Sequence, residues 1–224
     1  MATLPFPPGA EPPQPPAAPP AAPAASLPVV ETFHSLQGEG LHAGRSAFFL
    51  RLAGCDVGCS WCDTKHSWPE AMHPHHSLTD LARQSRHAAE NGAAFVVITG
   101  GEPLQHDLGP LCQALAGGLP LHLETSGVHR LSGRFDWITL SPKRHRPPTP
   151  ELLHACQELK VVVHDAHDLR FAEEMAAAAA GGQPQLLLQP GWHCPEGQAL
   201  AVAFVRRHPA WRLSLQSHKW LGVR

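Results

Sequence analysis

Seven short apolar runs, each four to six residues long, recur from Ala47 onward, and helix-like stretches separate several of them. The runs are Ala47–Leu52, Phe95–Thr99, Leu121–Glu124, Trp137–Leu140, Leu159–Val163, Leu186–Gln189 and Arg212–Leu215. Apolar runs of this length, bounded by turn residues, read as buried strands. Ser77-Leu78-Thr79-Asp80 opens one of the intervening helices, with a small polar cap and an acid three residues on. Asp168–Ala180 is alanine-rich, and Gly181-Gly182 can end it. Pro195–His208 is a further helix candidate. Strands alternating with helices predict an α/β fold with a mainly parallel sheet and right-handed crossovers. Such sheets bind ligands at the carboxyl ends of their strands, where the polar motifs of this chain fall. No internal repeat is present.

The chain has 224 residues, of which 43% are hydrophobic and 16% charged, so a substantial core can form. Residues 1–27 are a Pro/Ala-rich tract, predicted to be a disordered tail, either a dispensable extension or a ligand for a proline-reading module. Residues 28–224 then form one folded domain. A formal net charge of −2 argues against a broad basic surface for nucleic acid or an anionic membrane. No apolar run is long enough to span a bilayer, and the start MATLPFPPGAEPPQPP lacks the basic end and apolar block of a secretory signal. A cytoplasmic location is therefore expected, with reduced thiols. Six cysteines in that setting read as metal ligands or buried thiols rather than a disulfide framework.

Three of them crowd into Arg51-Leu-Ala-Gly-Cys55-Asp-Val-Gly-Cys59-Ser-Trp-Cys62-Asp-Thr64, directly after a strand. Thiolates at C-x3-C-x2-C spacing suit an iron–sulfur cluster or zinc. Zinc in a closed site wants four ligands, and His66 could supply the fourth. Three thiolates on a four-iron cluster leave one iron open to another ligand. Thr99-Gly100-Gly101-Glu102-Pro103 follows the next strong strand, and its glycines permit close backbone approach to a ligand. Cys112 and Cys156 lie in helix-like stretches and read as small buried residues; Cys194 falls in a loop without an assigned role. His73, His75 and His76 read as surface-loop histidines. Upstream, Glu31-Thr-Phe-His-Ser-Leu-Gln37-Gly38-Glu39-Gly40 reads as a polar, glycine-flexed loop. It is either an ordinary turn or a site where the Gln37 amide and Glu39 carboxylate bond a polar heterocycle.

The cysteine triplet followed by Gly-Gly-Glu resembles the radical S-adenosylmethionine superfamily. The resemblance implies a 4Fe–4S cluster on Cys55, Cys59 and Cys62, with S-adenosylmethionine on the open iron and a methionyl amino group near Gly-Gly-Glu. Further motifs narrow it. F-x-S-x-Q-G-E-G, then F-L-R-L-A-G-C and C-S-W-C-D-T, are similar to the 7-carboxy-7-deazaguanine synthase family. The similarity continues through T-G-G-E-P, E-T-S-G at 124–127, S-P-K at 141–143, L-Q-P at 188–190 and R-L-S-L-Q-S-H-K at 212–219. It implies a radical S-adenosylmethionine carbon–nitrogen lyase that contracts the ring of 6-carboxy-5,6,7,8-tetrahydropterin to 7-carboxy-7-deazaguanine, releasing ammonia, on the way to queuosine and related 7-deazapurines. The expected fold is an incomplete (β/α) barrel.

Carried onto this chain, the resemblance implies that Leu36, Gln37, Gly38, Glu39, Arg51, Thr99 and Arg224 bind substrate. Arg51 would take the substrate carboxylate, and the chain end at Arg224 would fold back onto the pterin. Trp61, Cys62, Asp63, Gly101, Glu124, Ser141, Pro142, Lys143, Gln189, Pro190, Gly191 and Trp192 would contact S-adenosylmethionine. Thr64 would bind Mg2+, with Asp63 acting through water; without the resemblance, Asp63-Thr64 is a plain loop cap. No side chain need act as a catalytic acid or base, because the radical arises on the cofactor. A homodimer and a low-potential electron donor such as a flavodoxin or ferredoxin are implied as partners. Two competing functions share some of these features. A glycyl-radical activase would need the cysteine loop and Gly-Gly-Glu but not Q-G-E-G or the H-K near the chain end, and a non-enzymatic zinc-binding module would be colourless where a cluster protein is brown with iron and sulfide.

Overall fold

The computed structural model describes residues 25–224. The Pro/Ala-rich tract at 1–27 therefore lies outside the described residues except at its end, where Ser26 and Leu27 already belong to the first strand. That strand, β1 (Ser26–Leu36), pairs antiparallel with β2 (Ser46–Leu52). The 31–36 stretch is thus a strand rather than the polar loop read from sequence. Its polar residues Thr32, His34 and Ser35 break the apolar pattern because the strand lies near the sheet edge and most of it is incompletely buried. A three-residue strand, β3 (His75–Ser77), pairs with the start of β1 and forms one edge. His75 and His76 therefore sit on an edge strand, not in a loop.

The remaining strands run parallel to β2. They are β4 (Val96–Gly100), β5 (Leu121–Thr125), β6 (Trp137–Leu140), β7 (Glu158–Val163), β8 (Gln185–Pro190) and β9 (Trp211–Leu213). The spatial order is β3-β1-β2-β4-β5-β6-β7-β8-β9, an open sheet with β3 and β9 at its edges. Helices α1 (Leu78–Glu90), α2 (Gly109–Leu115), α3 (Pro150–Ala155), α4 (Ala166–Ala178) and α5 (Pro195–Val205) pack outside it. Local sequence explains their starts. Ser77 caps α1 by accepting from the Asp80 amide at 3.1 Å, and Asp165 with Asp168 forms a capping box on α4. Cys194 caps α5, its sulfur accepting from the Gly197 amide at 3.4 Å, so this loop cysteine has a structural role after all. After Leu215 the chain makes one further short helix, α6 (Ser217–Leu221), with none of its residues fully buried. No helix among the described residues is long and apolar enough to cross a membrane.

Strand alternation separates two environments. Phe48, Leu50, Leu52, Val96, Ile98, Leu123, Leu140, Leu159, Val161 and Leu188 face the helices in the main core. On the other face a small apolar layer of Ala47, Phe49, Phe95 and Val97 lies beneath polar residues of the later strand positions. The loop after β1 crosses beneath this concave face as a floor. Its Gly40 amide donates to Ser214 Oγ at 2.9 Å and its Leu41 amide to Glu158 Oε2 at 2.9 Å. His42 packs at 4.5 Å between ring centroids from Trp137 and 4.7 Å from His122. Gly40 has φ 69°, and a Cβ there would fall 2.2 Å from Glu158 Oε1, so both conformation and space demand glycine. The floor ties the β1 side of the sheet to the β7–β9 side, giving an incomplete barrel closed by a loop instead of by more strands.

Candidate active site

The cysteine loop leaves the carboxyl end of β2 and is pinned at its root. The Gly54 amide donates to Ser67 O at 2.8 Å, and Gly54 O accepts from the Glu102 amide at 2.9 Å. A Cβ on Gly101 would lie 2.3 Å from Gly54 O and 2.6 Å from the Cys55 Cβ. Only glycine at 101 lets the β4 loop lie this close under the cysteines. Cys55, Cys59 and Cys62 then line one cavity of about 350 Å³. Burial pushes the Cys55 and Cys59 thiols up, and the neighbouring cysteines add to this. The described residues contain no group of three or more His, Cys, Asp or Glu side chains gathered for a single metal ion.

The same cavity is lined by Trp61, Asp63, Gly101, Glu124, Ser141, Lys143, Gln189, Gly191 and Trp192. Of the twelve residues expected around S-adenosylmethionine, only Pro142 and Pro190 do not line it. Lys143 donates to Ser141 Oγ at 2.8 Å, and burial lowers its pKa. Its side chain shares the cavity with the three cysteines. Glu102 of the Gly-Gly-Glu motif also lines this cavity. It is buried, and its carboxylate accepts from Thr125 Oγ1 at 2.5 Å, Ser126 Oγ at 2.5 Å, the Ser126 amide at 2.8 Å and the Leu104 amide at 3.1 Å. Fully engaged by these donors, it ties the end of β4 to the end of β5.

A second cavity of about 250 Å³ adjoins the first and shares Glu39, Asp63, Thr64, Thr99, Glu124 and Gln216 with it. Leu36, Gln37, Gly38, Glu39, Arg51, Thr99 and Arg224, all seven positions expected to bind substrate, line it. Gln37 Nε2 donates to Glu124 Oε1 at 2.8 Å, and Thr99 Oγ1 to Glu124 Oε2 at 3.2 Å. Arg51 faces Glu31 across the β1–β2 pair, with Nε 3.0 Å from Glu31 Oε1. Arg224 reaches the other Glu31 oxygen at 2.5 Å, and its main-chain oxygen accepts from Ser35 Oγ at 2.5 Å. Asp63 pairs with Lys219 of α6 at 2.5 Å, and Thr64 Oγ1 lies 3.5 Å from the Cys62 sulfur.

Among the lining residues without an assignment from sequence are Lys160, Gln216, His218 and Lys219. Lys160, buried in the middle of β7, pairs with Glu39, and Gln216 donates to the other Glu39 oxygen at 2.8 Å. Burial opposes ionisation of Glu39. The Lys160 ammonium, with hydrogen bonds from Lys160, Gln216 and Gln189, overrides it and holds the carboxyl at about 2. Lys160 itself is raised, because Glu39, Glu124 and Glu158 outweigh its burial. A lysine inside the apolar run Glu-Leu-Lys-Val-Val-Val was the available signal.

Comparison with known proteins places this geometry. The Radical SAM superfamily model matches residues 50–156. The chain is 51% identical over 220 residues to the 7-carboxy-7-deazaguanine synthase of Prochlorococcus marinus, covering 88% of this chain and 98% of that protein. It is 35% identical to the synthase of Escherichia coli K12, over 88% of this chain and 98% of that one. The crystal structure of QueE from Escherichia coli superposes with a TM-score of 0.74 at 33% identity, covering 86% of this chain and 95% of that one. The chain belongs to the 7-carboxy-7-deazaguanine synthase family of radical S-adenosylmethionine enzymes.

Proposed function

We propose that the two adjoining cavities carry out the ring contraction of 6-carboxy-5,6,7,8-tetrahydropterin to 7-carboxy-7-deazaguanine with release of ammonia, in queuosine and related 7-deazapurine biosynthesis. The observation that carries this reading is the shared wall. The cavity lined by the three cysteines and Lys143 shares wall residues with the one lined by Arg51, Gln37 and Glu39, so a cofactor held in the first would lie next to a heterocycle held in the second. Cys55, Cys59 and Cys62 would hold the 4Fe–4S cluster, and Lys143 would pair with the carboxylate of S-adenosylmethionine. When bound, these cofactors supply the 5′-deoxyadenosyl radical that abstracts and returns a substrate hydrogen.

The chain's own groups bind and orient. Ionised Glu39, held by Lys160 and Gln216, accepts from amino and ring N–H donors of the pterin. Arg51 uses Nε on Glu31 and keeps its two terminal nitrogens for the substrate carboxylate. The floor beneath, with His42 packed against aromatic rings, screens the site from solvent on that side. Thr64, with Asp63 through water, offers oxygen ligands on the wall between the cavities, which suits Mg2+ completed by water and substrate oxygens. A flavodoxin or ferredoxin as electron donor, a homodimer, and a reducing cytoplasm belong to the same proposal, with residues 28–224 as the catalytic domain.

Arg51→Lys tests the substrate side. Lysine keeps the charge but loses the planar fork, and one charge-assisted hydrogen bond is worth about 1.5–3 kcal/mol. The specificity constant for 6-carboxytetrahydropterin is expected to fall about 10- to 100-fold, at unchanged iron content. Unaltered kinetics would remove Arg51 from substrate recognition.

A further inference from the structure

We infer that His129, His145 and Arg146, on the loops after β5 and β6, form a latch that orders the cluster loop through Asp56 and Val57, as positioning residues for the cluster. The inference rests on the family reading that Cys55, Cys59 and Cys62 hold that cluster. Its starting point is how little else holds the loop. Among the described residues, the only backbone–backbone hydrogen bond made within 55–62 is the local turn from the Cys62 amide to Cys59 O at 3.2 Å. The root at Gly54 is fixed, but the stretch carrying the cysteines is free of ladder bonds.

Side chains from the neighbouring strand ends take over. Arg146 grips Asp56 twice, with Nη1 2.6 Å from its backbone oxygen and Nη2 2.8 Å from Oδ2. His129 Nε2 meets the other carboxylate oxygen at 2.9 Å. His145 Nε2 lies 3.0 Å from Val57 O and 3.9 Å from the Cys59 sulfur, and its ring meets the edge of Trp61 at 5.5 Å. Val57 is thereby held with its side chain buried. A fork on both the backbone and the side chain of Asp56 fixes the Asp56–Val57 peptide one residue beyond Cys55 and so restrains the backbone between Cys55 and Cys59.

The latch also couples the two halves of the site. Residues 143–146 form a tight turn, with the Arg146 amide bonded to Lys143 O at 3.0 Å. One turn therefore aims Lys143 into the cavity and His145 and Arg146 at the cysteine loop. Asp56 and Arg146 are both partly exposed, and pairs of that kind add little to global stability. The effect belongs to the loop and its cluster, where groups behind the ligands tune affinity and potential.

The test compares full-length wild type with Arg146→Met, Arg146→Lys and Asp56→Ala. Reconstituted proteins are challenged with an iron chelator, and the reduced cluster is examined by electron paramagnetic resonance. Iron loss is expected to be about 10-fold faster or more in Arg146→Met and Asp56→Ala, with an altered spectrum, partial rescue in Arg146→Lys, and an unchanged melting temperature of the metal-free proteins. Wild-type release rates and spectra in both variants would overturn the inference, as would a matching drop in metal-free melting temperature. Limited proteolysis of the metal-free chain reads the latch separately: faster cleavage between Cys55 and Cys62 in the variants is expected. If wild type binds no iron, the cluster reading fails, and equal cleavage would then overturn the latch as well.

Discussion

Cys59→Ala protein, reconstituted anaerobically with iron and sulfide, is expected to hold no intact four-iron cluster and to show no turnover. Cys112→Ala, Cys156→Ala and Cys194→Ala are expected to match wild type in iron and sulfide. The difference follows from placement. Cys59 lines the large cavity together with Cys55 and Cys62, and Lys143 offsets part of the burial that raises its thiol. Cys112 is buried on α2. Cys156 follows α3, its thiol donates to Leu153 O at 3.6 Å, and burial pushes it up to about 11, far from the thiolate a metal requires. Cys194 caps α5, so its replacement should cost stability of about 1 kcal/mol without touching the cluster. Iron and sulfide assays on the four variants check this, and a full cluster in Cys59→Ala would contradict the three-cysteine site.

Lys160→Met is expected to produce the next largest loss and a new pH dependence. In wild type Glu39 ionises near 2, because Lys160 and its hydrogen-bond donors overcome burial. Glu39 therefore stays ionised through neutral and mildly acidic pH, and no acid limb from it is expected there. Removing Lys160 leaves the burial and takes away the main opposing charge, so the Glu39 pKa moves above its ordinary value. As pH falls through that raised pKa, Glu39 gains a proton and no longer serves as a double acceptor for the pterin. The expected result is a specificity constant about 10- to 100-fold lower at neutral pH, falling further as the pH is lowered. Leaving a buried charge unpaired also costs about 3–5 kcal/mol of stability. Glu39→Gln in the Lys160→Met background should recover part of that stability and flatten the pH profile. A Lys160→Met enzyme with a wild-type profile would show that Lys160 does not set the charge of Glu39.

The contrast between Glu39 and Lys160 shows which parts of the site could be read along the chain. Glu39 stands in Q-G-E-G, a local motif between turn-forming glycines, and Cys55, Cys59 and Cys62 are within one short loop. Lys160 lies 121 residues beyond Glu39 in a run that reads as an ordinary buried strand. Nothing local says which carboxylate it meets, because only the crossing of the floor loop brings them together. The same holds for Gln216 and Lys219, which reach Glu39 and Asp63 only when α6 folds back.

Strands with a fully buried face were legible to within a residue or two. Ala47–Leu52 became Ser46–Leu52, and Trp137–Leu140 kept its bounds. β1 and β3 were not, since partial exposure lets polar residues into them and erases the alternation that marks a strand. Helix ends shifted where caps override composition. α4 begins at Ala166 because Asp165 and Asp168 close a capping box ahead of the alanine-rich stretch.

Anaerobic incubation of the reconstituted enzyme with 6-carboxy-5,6,7,8-tetrahydropterin, S-adenosylmethionine, Mg2+ and a low-potential reductant, followed by mass spectrometry, tests the proposed chemistry directly. The expected result is 7-carboxy-7-deazaguanine formed over many turnovers, with S-adenosylmethionine not consumed in proportion. Reductive cleavage of S-adenosylmethionine with the pterin left unchanged would contradict the proposed substrate while leaving the radical chemistry in place.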